Sequence, residues 1–272
     1  MRLFVTGLGG YLGHALAAAA PGEVTGTVRE RAAPAGARVF ALDVRDERAV
    51  AEAITEVRPD AVIHTAAARG GEDQWSVNVD GAAAVARAAR AEHVRLVHLS
   101  SDTVFCGDLG RPLREDDPPA PVSAYGKSKA AAETAVSAAH PGAVLVRTSL
   151  IYGGHEPSED EVAALDPTQP FNADEVRCPI VAGDLAAALV ELAALEDVRG
   201  PLHVAGADGV SRLTFARLLV AARGGDPAAV PGGWHPPSRP GDVRLDCSRA
   251  RTLLRTRLRG VREVLPPGGA SG

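Results

Sequence analysis

Disulfide staples and zinc clusters are beyond this chain's means. It has three cysteines, Cys106, Cys178 and Cys247, odd in number, far apart and without a Cys-x-x-Cys spacing. Free thiols point to a reducing compartment, so a cytoplasmic protein without a metal site is expected. A basic excess is also missing. The net charge of −5 argues against a general nucleic-acid binder, although a few arginines in a cleft can still hold an anionic ligand. No apolar stretch is long enough to span a membrane, because Arg, Asp or Glu interrupts every Ala-rich run. Arg2 followed by Leu3–Ala20 has the outline of a secretion signal, but Gly7, Gly9, Gly10, Gly13 and His14 fall inside its apolar region, so the segment is read as part of the fold. Lysine is scarcest of all. Among 29 Lys and Arg only Lys127 and Lys129 are lysine, and they share one pentapeptide. A chain that otherwise uses Arg has kept Lys where a compact point charge has a use.

At 272 residues, 46% of them hydrophobic, the chain can build one large domain with a small lobe. Short apolar segments at 2–6, 23–28, 37–42, 61–65, 94–100 and 143–148 read as strands. Helical patterns at 11–19, 46–57, 74–92 and 124–139 lie between them. This alternation predicts right-handed crossovers and a parallel α/β sheet. Beyond Ser149 the pattern loosens into acidic and Pro-containing sequence. It returns as a helix at 184–195, a strand at 202–204, a helix at 213–222 and a last short helix at 248–254. Residues 1–150, with 177–205 returning to them, are therefore expected to form the sheet domain. Residues 151–176 and 206–272 are expected to form a small lobe over its carboxyl edge, where function sits in such sheets. No internal repeat is present.

Between the first strand and first helix lies Thr6-Gly7-Leu8-Gly9-Gly10-Tyr11-Leu12-Gly13, with Gly7, Gly10 and Gly13 at GxxGxxG spacing. Such a loop makes a tight turn, lets a phosphate approach the backbone and aims the free N–H groups of the helix start at it. In a strand–loop–helix context it predicts a Rossmann-type, doubly wound dinucleotide site with Gly7, Gly10, Tyr11, Leu12 and Gly13 at the pyrophosphate. The second strand ends at Arg29, where an NAD site usually carries an acid. A guanidinium suits a 2′-phosphate, so NADP(H) is favoured, while the adjacent Glu30 keeps NAD(H) open. Asp43 and Val44, after the third strand, are expected to edge the adenine. Ala66, Ala67 and Ala68, after the fourth, are small enough for a cofactor to lie against.

Tyr125 and Lys129 are four apart, on one helical face. A phenol with a pKa near 10 is a poor acid–base group at neutral pH. A nearby ammonium stabilises its phenolate, and the same ammonium can hold a ribose. Neither Tyr11 nor Tyr152 has a lysine at the fourth position on. Ser101, in Ser100-Ser101-Asp102-Thr103 at the end of the fifth strand, can donate a hydrogen bond to a carbonyl becoming an alkoxide.

Taken together, the TGxxGxxG loop, the Ser before Asp102-Thr103-Val104-Phe105 and the Tyr-x-x-x-Lys motif resemble the extended short-chain dehydrogenase/reductases. Within them, Leu99–Gly107, Val146–Gly153 and Arg177–Ala186 are similar to stretches of the dTDP-4-dehydrorhamnose reductases. The resemblance implies an NADPH-dependent reductase acting on a keto group, of a sugar nucleotide or a related metabolite. Ser101, Tyr125 and Lys129 would be catalytic, and Ser101, Asp102 and Thr103 would line the substrate. Arg239, in a Pro-rich closing motif, would meet a substrate diphosphate, or serve only as a turn residue. The resemblance also shows departures: Ser101 stands for Thr, Thr103 for Tyr and Cys106 for Asp. Two other readings stay open. One is an NADP-binding regulatory subunit of another enzyme. The other is an epimerase or dehydratase, against which Asp102 counts as a single acid where a 4,6-dehydratase carries a pair. Self-association into a homodimer is also left open.

Overall fold

The computed structural model describes residues 1–107, 109–166 and 168–265, so the last seven positions of the expected lobe lie outside the described residues. Seven strands form one all-parallel sheet. They are β1 (Leu3–Thr6), β2 (Val24–Val28), β3 (Arg38–Ala41), β4 (Ala61–His64), β5 (Arg95–Ser101), β6 (Val144–Thr148) and, after four two-residue strands of the lobe, β11 (Gly200–His203). Their order is β11-β6-β5-β4-β1-β2-β3. The chain winds outward from β1 through β2 to β3, then crosses back to β4 on the other side of β1. A crevice therefore opens between β1 and β4 at the strands' carboxyl ends, the switch point where ligands bind in such sheets.

Strand periodicity sorts the two faces. Leu3, Val5, Ile63, Val97, Val144 and Val146 point to one face and pack with α1 (Tyr11–Ala19) and α6 (Ala182–Ala193). Phe4, Val62, Leu96 and Leu145 point to the other. There they meet α2 (Glu47–Val57), α3 (Ala82–Ala91) and α4 (Ala124–Ala139). On this second face the rows turn polar toward the carboxyl edge. Thr6 lies beside His64 and His64 beside His98 in register, while Ser100 faces Arg147. Helix starts follow from local chemistry: Asp46 caps α2 by accepting from the Ala49 N–H at 3.0 Å, and Ser123 caps α4 by accepting from Gly126 at 3.0 Å.

The helix expected over 74–92 differs at its start. Ser76–Gly81 form one widened turn before α3 begins. Single turns of this kind re-aim a side chain, and here the side chain is that of Asn78.

The lobe holds β7 (Ile151–Tyr152), α5 (Glu159–Ala163), β8 (Phe171–Asn172), β9 (Val176–Arg177), β10 (Ile180–Val181), β12 (Val210–Ser211), α7 (Arg212–Ala222) and β13 (Gly232–Gly233). Its own core gathers Tyr152, Phe171, Val210, Phe215, Leu219 and Val261. Two short helices, α8 (Ser248–Leu253) and α9 (Val261–Val264), close the described chain. α8 and its flanks turn Leu245, Cys247, Ala250, Leu254 and Leu258 into the main core under the sheet, although sequence placed this stretch with the lobe. The three thiols are unpaired, Cys178 and Cys247 inside the protein. No described helix is long and apolar enough to cross a membrane. Among the described residues no group of His, Cys, Asp and Glu is arranged to hold a metal ion.

Candidate active site

The glycine loop lies at the β1–β4 crevice. Gly7 has φ +76°, and a Cβ there would press on the Ala66 backbone at 3.0 Å. At Gly13 a Cβ would strike the Leu8 carbonyl oxygen, so only glycine lets α1 sit this close to its own loop. Gly10 precedes α1 without a side-chain cap, which leaves the helix start presenting backbone N–H groups. Tyr11 lends more than its backbone. Its hydroxyl donates to Glu161 Oε2 at 3.1 Å and accepts from the Gly154 N–H at 2.7 Å, fastening the loop to the lobe. Burial, with the Glu161 charge adding to it, pushes this phenol up to about 12.

The remaining expected cofactor contacts are less uniform. Ala66 and Ala68 are half-buried and Ala67 is exposed along the loop after β4. Arg29 is exposed and pairs with Glu30 at 3.0 Å. Its charge reaches Asp43, whose carboxyl lies below its usual range, chiefly through hydrogen bonds from Arg45. Arg45 grips Asp43 at 2.7 and 3.0 Å, so this carboxylate is already engaged. Val44 departs from expectation: its side chain is buried against Gly81 in the core of the helical face, leaving only its backbone for an adenine edge.

Tyr125 and Lys129 stand on the first turns of α4, beside the end of β5. Lys129 is 3% exposed and donates to the Leu99 carbonyl at 2.7 Å. Burial lowers its ammonium to about 8. The Tyr125 phenol is pushed up by burial, while Arg69 works against that shift by charge and by hydrogen bonding. Ser101 ends β5, and its Oγ accepts from the Thr103 N–H at 3.2 Å and from Thr103 Oγ1 at 2.9 Å. Thr103 thus orients Ser101, and its carbonyl lies against Gly126 at the head of α4.

Asp102 corrects the sequence expectation. Its carboxylate does not line an open substrate site. It is buried, accepts from Ser149 Oγ at 2.6 Å and lies 3.3 Å from Arg177 Nη1. A buried guanidinium draws it inward. Arg177 pairs in turn with Glu175 at 2.9 Å, and Glu175 takes both arms of Arg239 at 2.8 Å each. Burial works to raise Glu175, yet the Arg239 hydrogen bond and the Arg177 charge bring it down to about 2. Arg239 lines a cleft of about 280 Å³ in the lobe, with Arg212, Asn172, Phe171 and Gln169.

Several residues of the site carried no local signal in sequence. Asn78 accepts from the Ala68 N–H at 2.8 Å and donates to the Ala68 carbonyl at 3.0 Å and to Ser128 Oγ at 2.9 Å. Further along α4, Glu133 holds Arg147 at 2.8 Å and Ser100 Oγ at 2.5 Å. Their only mark was polarity at positions where the helix and strand patterns ask for apolar residues.

Comparison with known proteins gives the family. The family model described as the RmlD substrate binding domain matches residues 1–267. A dTDP-4-dehydrorhamnose reductase of Mycolicibacterium smegmatis is 35% identical, covering 97% of this chain and 84% of that one. Methionine adenosyltransferase 2 subunit beta of Pongo abelii is 30% identical, over 98% of this chain and 87% of that one. The solved dTDP-4-dehydrorhamnose reductase of Bacillus anthracis, in complex with NADP, superposes with a TM-score of 0.79, covering 97% of this chain and 96% of the other, and at 24% identity it speaks for the fold. The chain belongs to the RmlD family of extended short-chain dehydrogenase/reductases.

Proposed function

We propose that this protein uses NADPH to reduce a keto group on a nucleotide-activated sugar. One observation carries the reading. Tyr125 and Lys129, on the first turns of α4, and a serine oriented by Thr103 at the end of β5 stand at the carboxyl edge of a parallel sheet, above a loop whose Gly7 and Gly13 leave no room for a Cβ. The cradle suits a dinucleotide: Gly7 and Gly13 must be glycine, and α1 begins uncapped. The exposed Arg29 supports the 2′-phosphate form, and the NADP held by the Bacillus anthracis relative points the same way. Ser101, Tyr125 and Lys129 form the catalytic set, and Lys129 also serves the nicotinamide ribose.

When bound, NADPH supplies the hydride that the carbonyl carbon receives. Tyr125 holds the proton that the carbonyl oxygen takes up in the same reduction. Burial keeps that proton on the phenol at neutral pH, so the resting residue is ready as an acid. Lys129, cationic below about pH 8, then stabilises the phenolate that remains. Ser101 holds the carbonyl oxygen by hydrogen bonding and is oriented by Thr103. The nucleotide half of the substrate falls to the lobe cleft, where Arg239 and Arg212 offer guanidiniums for phosphate and Phe171 an apolar wall.

A regulatory role is the second reading, favoured by the 30% identity to a methionine adenosyltransferase subunit. Tyr125→Phe separates the two. It keeps the ring and its packing and removes only the proton. Single-turnover oxidation of NADPH with a dTDP-4-keto sugar should slow by about 10²–10⁴, with NADPH affinity retained. Undiminished turnover in this variant would remove the catalytic assignment.

A further inference from the structure

The loop after β4 is built outward from the catalytic helix. Ser128 Oγ donates to the Tyr125 carbonyl at 2.8 Å and accepts from Asn78 Nδ2 at 2.9 Å. Asn78 grips both backbone groups of Ala68 at 2.8 and 3.0 Å. The next residue is Arg69. A chain of hydrogen bonds therefore starts at the backbone of Tyr125 and ends one residue short of a guanidinium. That guanidinium comes back over the Tyr125 ring, its Cζ 5.8 Å from the ring centroid.

Two further facts bear on what Arg69 does. Its one ion pair among the described residues is loose: Nη1 lies 3.8 Å from Glu159 Oε2 on α5, with the Arg69 side chain 64% exposed. Such a pair is worth little, so the fork remains available to a ligand. No other described arginine is placed over the phenol, and the charge of Arg69 reaches both Tyr125 and Lys129.

We propose that Arg69 is a further catalytic residue of this site: its guanidinium stabilises the negative charge that arrives on the Tyr125 oxygen when the proton leaves for the substrate carbonyl, and it donates to an oxygen substituent beside that carbonyl. The inference rests on the reductase reading above. The balance is simple. The carbonyl carbon gains a hydride from the nicotinamide and the carbonyl oxygen gains the phenolic proton. The phenolate regains a proton from water before the next turnover. During the interval Arg69 and Lys129 flank one phenolate with two cations. Arg69 sits at the mouth between β4 loop and lobe, so it also selects for a substrate with a hydroxyl or other acceptor next to the reacting carbon.

Among the described residues, the other charged or titratable groups around this pair include Asp102 at the strand end, Glu133 on α4, His64 and His98 on the sheet beneath, and Glu159 across from Arg69. His64 and His98 stay neutral, because burial and the charge of Lys129 both hold them down.

Arg69→Gln and Arg69→Lys test the proposal, with the pH profile of keto-sugar reduction as readout. Reduction needs the protonated phenol, so activity declines on the alkaline side as the Tyr125–Lys129 pair loses its proton. Removing the Arg69 charge should move that decline up by about one pH unit and lower kcat by about ten- to a hundredfold, with NADPH affinity unchanged. Arg69→Lys should restore the alkaline limb while recovering kcat only in part, since an ammonium lacks the planar fork. An unmoved limb with wild-type kcat in Arg69→Gln would overturn the role of Arg69. If the wild-type protein reduced no keto sugar with NADPH in the same assay, the reductase reading itself would fall. The two failures are thereby told apart.

Discussion

The ammonium of Lys129 donates a 2.7 Å hydrogen bond to the carbonyl of Leu99, two residues before Ser101. The helix that carries Tyr125 is thus pinned to the strand that ends in Ser101 by the lysine proposed to serve the chemistry. The tie has an energetic cost. The amine is 3% exposed, and burial lowers it from 10.5 to about 8. A lysine whose folded pKa is depressed binds its proton less readily in the folded than in the unfolded chain. The penalty is therefore fully present below about pH 8 and fades as pH rises toward 10.5.

Lys129→Met should consequently stabilise the fold while abolishing turnover. At neutral pH the gain should be roughly 1–3 kcal/mol, less than the full shift implies because the Leu99 carbonyl loses its donor. The gain should shrink above pH 8, as the wild-type amine discharges. Urea unfolding of both proteins at two pH values reads this. A destabilised Lys129→Met at neutral pH would mean that the ammonium is a net structural asset.

On the proposed reading, cofactor choice depends on Arg29. Its partner Glu30 is a neighbour on an exposed loop, so the guanidinium gives up little by turning to a phosphate. Arg29→Ala should weaken NADPH by about 1.5–3 kcal/mol, as for a hydrogen bond to a charged group, and leave NADH almost unchanged. Calorimetric titration of both cofactors decides it, and tighter NADH binding by the wild type would hand the role to Glu30.

The parallel sheet, its crossovers and the Tyr125–Lys129 pair were legible because each rests on a local period: two along strands, four along the first turns of α4, three between the loop glycines. The features that escaped are made by residues distant in sequence. Asp102 looked like a residue lining the substrate until Arg177, from the lobe, drew it inward. Val44 read as an edge residue, but the widened turn at Ser76–Gly81 gives it a buried seat against Gly81. Arg69 lies in a loop with no period at all, and only the Asn78–Ser128 bonds reveal why it points where it does. The closing segment at 243–258 carries arginines between its apolar residues, which hid the apolar spacing that seats it in the main core.

If Arg239 binds the substrate as proposed, it joins substrate binding to acid stability. Glu175 is fully buried and held at about 2, partly through Arg239, so it stays ionised in the fold where an unfolded carboxyl would protonate. Stability from this pair is present above the unfolded value near 4.5 and is lost as pH falls toward 2. Arg239→Ala should raise KM for the nucleotide sugar without changing NADPH affinity. It should also shift acid unfolding, followed by circular dichroism, to higher pH. A wild-type KM would leave Arg239 only its structural partnership with Glu175.

Glu133 and Arg147 make a sharper test of what supports the site. Their side chains are 6% and 3% exposed, and Arg147 also lies over the Phe105 ring and donates to the Glu115 carbonyl. Neither group touches a substrate. Glu133 stands one turn beyond Lys129 on α4, and through Ser100 Oγ it holds the residue before Ser101. Removing one partner strands the other as a buried, uncompensated charge, so Glu133→Ala should cost about 3–5 kcal/mol. Replacing both at once leaves no orphan charge, and Glu133→Leu with Arg147→Met should regain most of that loss in urea unfolding. Catalysis should follow a different rule. The refolded double variant has its stability back but no tie from α4 to Ser100, so Ser101 and Lys129 lose their fixed spacing. Its kcat should stay well below wild type while NADPH binding through the glycine loop is kept. A double variant as active as wild type would show that the pair serves the fold alone, and that Lys129 and Leu99 suffice to hold the catalytic groups in place.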